Sequence, residues 1–274
     1  MRVLVHLSDL HFGRVDEGLI EPLRGSLRRL RPALVVVSGD LTQRARRRQF
    51  RAARAFLDTL PAPVLAVPGN HDVPLYDVVR RFLRPLHRYR RYIDDELEPF
   101  YVDHEIVVAG LNTARSLTVQ GGRINVRQLE RIRARLEGVD PRLVRIVVTH
   151  HPFDAPAGHD DRKLVGRAAL AMESLAACGV DVCLAGHLHV GHVAHAARRY
   201  VLPDGRGALL VQAGTATSTR GRGEANSFNV LHLDGAALQV ERHAWDEAAG
   251  EFRRAACERF VRGGAGWSPA EACQ

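Results

Sequence analysis

The sequence predicts an α/β fold with mixed β-sheets in a single domain. Short, continuous, β-branched apolar runs recur along the chain, as buried parallel strands require. Segments with helical spacing of apolar residues separate these runs. No linker-like stretch and no internal repeat divides the 274 residues, a length that one large core can organise.

Val3–Leu7 is the first run and ends in Ser8-Asp9. Leu34–Val37 ends in Ser38-Gly39-Asp40, and Val64–Val67 ends in Pro68-Gly69-Asn70-His71-Asp72. Leu19, Leu23, Leu27 and Leu30 have helical spacing between the first two runs; Phe50, Ala53, Leu57 and Leu60 have it between the next two. This βαβαβ pattern predicts right-handed crossovers with loops gathered at the C-terminal strand ends. Arg80 to Leu97 reads as an inserted, very basic helical segment. Ile106–Leu111 is again a strand. Asn125 and Gln128 form a capping-box-like pair for a helix with the stripe Leu129, Ile132, Leu136, stopped at Gly138. Val144–Val148 leads as a strand into Thr149-His150-His151-Pro152. A helix over Gly166–Cys178 stops at Gly179, and Val182–Ala185 leads into Gly186-His187-Leu188-His189. Ala208–Gln212, Phe228–Leu233 and Leu238–Ala244 read as strands, with Glu251–Val261 as a hairpin partner. The domain is therefore expected over 1–261, with a flexible Gly-rich tail over 262–274.

The chain has 39 basic and 31 acidic side chains, a formal charge of +8, and Lys163 is its one lysine. A basic surface attracts phosphorylated substrates, nucleic acid or anionic lipid; the arginine preference is equally a composition bias. No run approaches the ~18 apolar residues of a membrane span. The lack of an apolar stretch behind Met1-Arg2 predicts a cytoplasmic protein. Cys178, Cys183, Cys257 and Cys273 contain no C-x-x-C pair and are expected to be reduced thiols.

The chemistry lies where the strands end. Five runs end in metal-binding side chains: Asp9 and His11, Asp40, Asn70, His150, and His187 with His189. In an α/β sheet these ends converge on one rim. Two carboxylates, one amide and four imidazoles suit divalent transition ions such as manganese, iron or zinc better than calcium or magnesium. Seven donors exceed one open catalytic site and fit two metals that share a carboxylate. Singly, each residue reads as a turn or cap residue; the joint pattern argues otherwise.

D-x-H at Asp9–His11, G-D at Gly39-Asp40, G-N-H-D at Gly69–Asp72, H-x-P at His150–Pro152 and G-H-x-H at Gly186–His189 resemble, in order, the five-block signature of the calcineurin-like metallophosphoesterases. The compact length is most similar to the bacterial class III cyclic-nucleotide phosphodiesterases. The resemblance implies a four-layer αββα sandwich of two mixed β-sheets flanked by helices, with the metal site at the strand C-terminal ends. It implies two divalent transition metal ions. Asp40 would bridge them, Asp9, His11 and His189 would complete one site, and Asn70, His150 and His187 the other. A metal-bridging hydroxide would attack phosphorus in line. His71 would contact the phosphate or protonate the leaving oxygen, with Asp72 orienting His71. The implied substrate is a small phosphorylated molecule, first a 3′,5′-cyclic nucleotide. A nuclease, a nucleotide-lipid pyrophosphatase at the membrane surface and a non-catalytic scaffold are the alternatives.

Other residues stay ambiguous. His151 reads as packing or as a support for its ligand neighbour, and His6 as a core residue or a support behind the donors. Asn112 and Arg115 follow a strand and read either as substrate contacts or as a capped loop. Arg44, Arg47, Arg51 and Arg54 read as a solvated helix face. Arg80, Arg81, Arg84, Arg88, Arg90 and Arg91, interleaved with Tyr89 and Tyr92, read as a nucleotide or nucleic-acid surface, a homodimer surface, or a helix over a sheet edge.

Overall fold

A computed structural model describes residues 1–202, 207–220, 223–264, 266–270 and 273. Among them the strands, in chain order, are β1 (Arg2–Leu7), β2 (Leu34–Val37), β3 (Val64–Ala66), β4 (Phe100–Val102), β5 (Ile106–Gly110), β6 (Gly122–Arg123), β7 (Val144–Val148), β8 (Val165–Gly166), β9 (Val182–Ala185), β10 (His192–His195), β11 (Leu209–Gln212), β12 (Ser227–Asp234), β13 (Ala237–Asp246), β14 (Glu251–Gly263) and β15 (Gly266–Pro269). The α-helices are α1 (Ile20–Leu30), α2 (Arg47–Leu57), α3 (Val78–Leu83), α4 (His87–Tyr92), α5 (Val126–Glu137) and α6 (Ala168–Ala177).

The strands form a seven-stranded sheet in the order β15-β14-β13-β12-β1-β2-β3 and a six-stranded sheet in the order β10-β11-β9-β7-β5-β4. Both are mixed. β1, β2 and β3 pair in parallel, and β12 joins β1 antiparallel. β5, β7, β9 and β11 are parallel, with antiparallel β4 and β10 at the edges. Alternation along each strand sends side chains to opposite faces. Leu4, Val36, Val108, Ile146 and Leu184 fill the space between the sheets. Val5, Val35 and Val37 instead pack on Leu23, Leu27, Phe50 and Ala53 of α1 and α2. Val107, Ala109 and Val147 pack on Leu129, Ile132, Met172 and Leu175 of α5 and α6. Three apolar seams separate four layers, helix, sheet, sheet, helix, as expected.

Four local expectations need correction. The basic insertion is two short helices, and the 80–97 segment buries Tyr89 completely while Tyr92 stacks on Phe50; neither ring offers a base-stacking platform. The first turn of the Gly166–Cys178 helix gives way to β8, which pairs with β6. The segment from 262 onward does not trail away from the sheet. β14 continues to Gly263, β15 pairs with it, and Trp267 is buried with its indole N–H donating to Asp181 at 3.0 Å; residues 265, 271, 272 and 274 lie outside the described residues. That fold-back brings Cys257 and Cys273 to a Cα separation of 5.8 Å, where they form a disulfide, while Cys178 and Cys183 are buried and free. Among the described residues no helix is long and apolar enough to cross a membrane.

Candidate metal centre

The parallel strands of both sheets end on one rim. β1, β2 and β3 deliver Asp9 with His11, Asp40, and Asn70 with His71; β7 and β9 deliver His150, and His187 with His189. Close approach of these loops is possible because of glycine: a Cβ at Gly69 would strike the Asp40 carboxylate, and one at Gly186 would strike Ser8. Asp9, His11, Asp40, His187 and His189 all have positive φ, between 48° and 72°. Left-handed backbone costs a non-glycine residue about 1–2 kcal/mol, and such strain concentrates at functional sites.

All seven sequence-derived donors come together, in two groups. His11 Nε2 lies 3.3 Å from His189 Nε2, 3.5 Å from Asp9 Oδ1 and 3.7 Å from Asp40 Oδ2. His189 Nε2 is 3.2 Å from Asp9 Oδ1. In the second group His150 Nε2 lies 3.1 Å from Asn70 Oδ1, 3.3 Å from His187 Nδ1 and 3.4 Å from Asp40 Oδ1. Asp40 thus offers one carboxylate oxygen to each group.

The residues fit two metal ions. Donors held about 2.1 Å from one ion stand about 3.0–3.4 Å from one another, close to the separations within each group. Asp9 Oδ1 is fully buried without a hydrogen-bond partner, although Oδ2 accepts from Ser8 Oγ at 2.6 Å and from the His187 N–H at 2.9 Å. His150 Nδ1–H donates to the Ser38 carbonyl at 2.8 Å and His189 Nδ1–H to the Arg220 carbonyl at 3.2 Å, so each Nε2 faces inward, where a metal ion would displace any proton it carries. Asn70 Nδ2 donates to the Val119 carbonyl at 3.0 Å, which turns Oδ1 toward His150. The charges ask for a cation. Burial works against ionisation of Asp9 and Asp40, but neighbouring imidazoles hold both carboxyls below the usual range. Burial likewise opposes a charged His150, yet Asp40 lifts it to about 9.

His71 and Asp72 do not work as the pair expected. Asp72 accepts from the N–H groups of Leu41 (3.2 Å), Thr42 (2.9 Å) and Gly69 (3.0 Å) and from Thr42 Oγ1 (2.9 Å). It clamps the Asp40 loop to the Asn70 loop, and all its oxygens are spent on that. Burial and then the Asp40 charge raise its pKa, against these donors, to about 7. The carbonyl of Gln43 orients His71 instead, accepting from Nδ1–H at 2.9 Å. That leaves His71 Nε2 to accept from Arg220 Nη1 at 2.9 Å, while it lies 4.0 Å from Asp40 Oδ2. Arg44 Nη1 stands 3.1 Å from His71 Nδ1.

Sequence reasoning missed both guanidinium groups. Arg44 precedes α2 and turns into the site, away from the solvated face to which it was assigned. Arg220 lies on the chain after β11, and its one signal was position: it sits in a polar stretch whose Thr215 and Thr217 hydroxyls donate to the carbonyls of Asp9 and Leu10 at 2.8 and 3.0 Å. Together with Gln43, Asn70, Val73, Leu75, Val119 and Gln120 they line a pocket of about 160 Å3 around His71. Asn112 and Arg115 do not line it. Arg115 donates to the carbonyls of Asn112 and Ala114 and to Gln128 Oε1 (2.9, 2.7 and 2.6 Å), which is the capped-loop alternative. His151 spends both ring nitrogens, on Thr113 Oγ1 (2.8 Å) and the Gln120 carbonyl (3.0 Å). It supports the loop and offers no lone pair to the centre. His6, bonded to Ser38 Oγ at 2.9 Å, is a core residue whose pKa burial lowers to about 3.

Comparison with known proteins agrees with this geometry. Residues 2–191 match the model of the calcineurin-like phosphoesterase family. The chain is 36% identical over 97 residues to glycerophosphodiester phosphodiesterase GpdQ of Enterobacter lignolyticus, covering 31% of this chain and 34% of that protein. It is 25% identical over 194 residues to the uncharacterised YpbG of Bacillus subtilis, covering 68% and 61%. The chain thus spans about a third and three-fifths of these curated relatives. In fold it is similar to a dimetal phosphatase from Danio rerio (TM-score 0.63, 16% identity, 89% and 96% covered). It is also similar to the purple acid phosphatase PPD1 of yellow lupin, Lupinus luteus (TM-score 0.65, 13% identity, 92% and 52% covered). A family match over more than half the chain, with the site on the rim of a four-layer sandwich, has one outcome: this chain belongs to the calcineurin-like phosphoesterases.

Proposed function

We propose that the chain is a dimetal phosphodiesterase that hydrolyses small phosphodiesters, with 3′,5′-cyclic nucleotides as the leading substrates. The observation that carries this reading is the division of Asp40, whose two oxygens serve two donor groups, beneath a histidine set between two arginines. In this reading Asp40 would be shared by the two ions, Asp9, His11 and His189 would hold one with it, and Asn70, His150 and His187 the other. When bound, the ions offset charge on the phosphate oxygens and lower the pKa of the attacking water. Arg220 and Arg44 grip the non-bridging oxygens through charge-assisted hydrogen bonds. His71, held at Nδ1 by Gln43, keeps Nε2 toward the phosphate, and it protonates the leaving oxygen only once Arg220 has moved from Nε2 to the phosphate and a proton has taken its place.

The pocket suits the phosphate group itself. Its volume of about 160 Å3 is below the ~300 Å3 at which whole-ligand pockets begin, so the ester arms lie outside it. GpdQ, as its name says, is a glycerophosphodiester phosphodiesterase, and glycerophosphodiesters join the substrates to compare. A cytoplasmic setting belongs to the same proposal. The Cys257–Cys273 bridge is at odds with it, because reducing compartments keep thiols reduced; alkylation of thiols in intact cells tests it.

The deciding experiment is a hydrolysis screen with metal-reconstituted protein. It sets 3′,5′-cyclic nucleotides and glycerophosphodiesters beside bis-aryl and mono-aryl phosphates, nucleotide-lipids and single-stranded DNA. Metal-dependent cleavage of diesters over monoesters is expected, highest on cyclic nucleotides. A preference for monoesters overturns the diester assignment, and the absence of any metal-dependent hydrolysis overturns the whole reading.

A further inference from the structure

Helix α3 is inside out. Its buried residue is a charge, Arg81, whose guanidinium donates to the carbonyls of Pro74, Ser116 and Thr118. Its apolar residues face solvent: Val78, Val79, Phe82 and Leu83 are 54–76% exposed. At about 100° per residue these four lie within an arc of about 140°, so they form one face. Tyr76 before the helix and Leu117, on the loop that Arg81 holds, are 74% and 88% exposed. Scattered exposed apolar residues are ordinary, but a contiguous apolar face bounded by charge marks an interaction surface.

Two further observations say what the face meets. First, it is continuous with the catalytic pocket. Tyr76 lies under the guanidinium of Arg44, 5.9 Å from ring centre to carbon, and Arg44 reaches His71. The loop held by Arg81 continues to Val119, whose carbonyl fixes the amide of Asn70. Second, the surroundings are cationic. Residues 76–92 contain six arginines against a single aspartate, Asp77, with Asp94, Asp95 and Glu96 following; Arg80 pairs with Asp77 and Arg90 with Asp95 (3.4 Å), and Arg84 and Arg91 are exposed without an ion pair among the described residues. Two copies of this chain meeting here would set like charges together, which costs affinity. An anionic lipid surface accepts both features, the apolar side chains below the headgroups and the arginines among them.

We infer that the α3 face docks the protein on an anionic phospholipid surface, with the catalytic pocket opening beside the headgroups. The inference stands on the patch and its charge, and goes beyond the substrate reading above.

The test is co-sedimentation of the full, metal-loaded chain with vesicles of phosphatidylglycerol and phosphatidylcholine, against phosphatidylcholine alone. The wild type is expected to sediment with the anionic vesicles and to be released by about 0.5 M salt, where the screening length falls to a few ångströms. Val79→Asp/Phe82→Asp is expected to weaken partitioning by about tenfold or more and to leave hydrolysis of a soluble aryl phosphodiester unchanged. Arg84→Ala/Arg91→Ala is expected to weaken it without altering an exposed apolar residue. Three results would each overturn the inference: no wild-type binding to anionic vesicles; binding that the aspartate variant retains; or a wild-type dimer in sedimentation equilibrium that the aspartate variant dissociates, which assigns the face to a second copy.

Discussion

Removing the Asp72 carboxylate separates two accounts of that residue. If Asp72 acted through His71, Asp72→Ala would slow turnover and leave the rest of the protein intact. The hydrogen bonds describe a clamp instead: three backbone N–H groups, from Leu41, Thr42 and Gly69, lose their acceptor together with the Thr42 hydroxyl. A buried donor left without a partner costs about 1–3 kcal/mol. Three of them amount to roughly 3–6 kcal/mol, after relief of the repulsion between Asp72 and Asp40 offsets part of the loss. At about 2 °C per kcal/mol for a chain of this size, the melting temperature should fall by about 6–12 °C. Metal content should fall too, since the clamp joins the loops carrying Asp40 and Asn70. The assay is thermal unfolding by circular dichroism beside elemental analysis of the purified variant. A variant that is slow yet melts within about 2 °C of wild type with two metals bound would refute the clamp and restore the His71-orienting role. Asp72→Asn, which keeps one acceptor oxygen, should fall between the two.

Three other outcomes follow from the same contacts. Asp40→Ala should abolish metal-dependent hydrolysis and bring metal content below one ion per chain, measured by elemental analysis; two retained ions would refute its shared role. Arg220→Ala should reduce kcat/KM on an aryl phosphodiester by about 10–100-fold, the value of a charge-assisted contact, at unchanged metal content. Arg115→Ala should cost about 1–2 kcal/mol of stability through its lost carbonyl contacts and leave KM unchanged, because the guanidinium faces the Asn112–Gln128 loop; a raised KM at normal stability would return it to the substrate.

The metal donors were legible because their chemistry is written locally. Each lies within four residues of the end of a β-branched run, and parallel strands can only end on a common rim. The rest depended on contacts that spacing does not encode. Arg44 shares helical spacing with Arg47, Arg51 and Arg54, yet it precedes α2 and turns inward. Arg220 meets His71 across 149 positions of sequence. Asp72 looked like a partner for its neighbour because adjacency is visible and a clamp on three backbone N–H groups and one hydroxyl is not. The segment after Arg262 looked mobile because glycine dominates it, and the indole of Trp267 alone hinted that it folds back. The inserted arginines suggested a binding face; sequence could not say that the buried position of α3 would be taken by Arg81 and its outward positions by valine, phenylalanine and leucine.

The left-handed backbone at Asp9, His11, Asp40, His187 and His189 bears on how this chain tolerates change. Glycine is the residue most at ease in that conformation, and it has no side chain to offer an ion. At each of these five positions the most comfortable residue is therefore a silent one. A programme of directed evolution that rewarded heat resistance alone would favour any replacement that relieved this strain and drift toward a sturdier, inert sandwich. Such selections need activity as a second gate, and the five positions are the ones to hold fixed when the scaffold is redesigned.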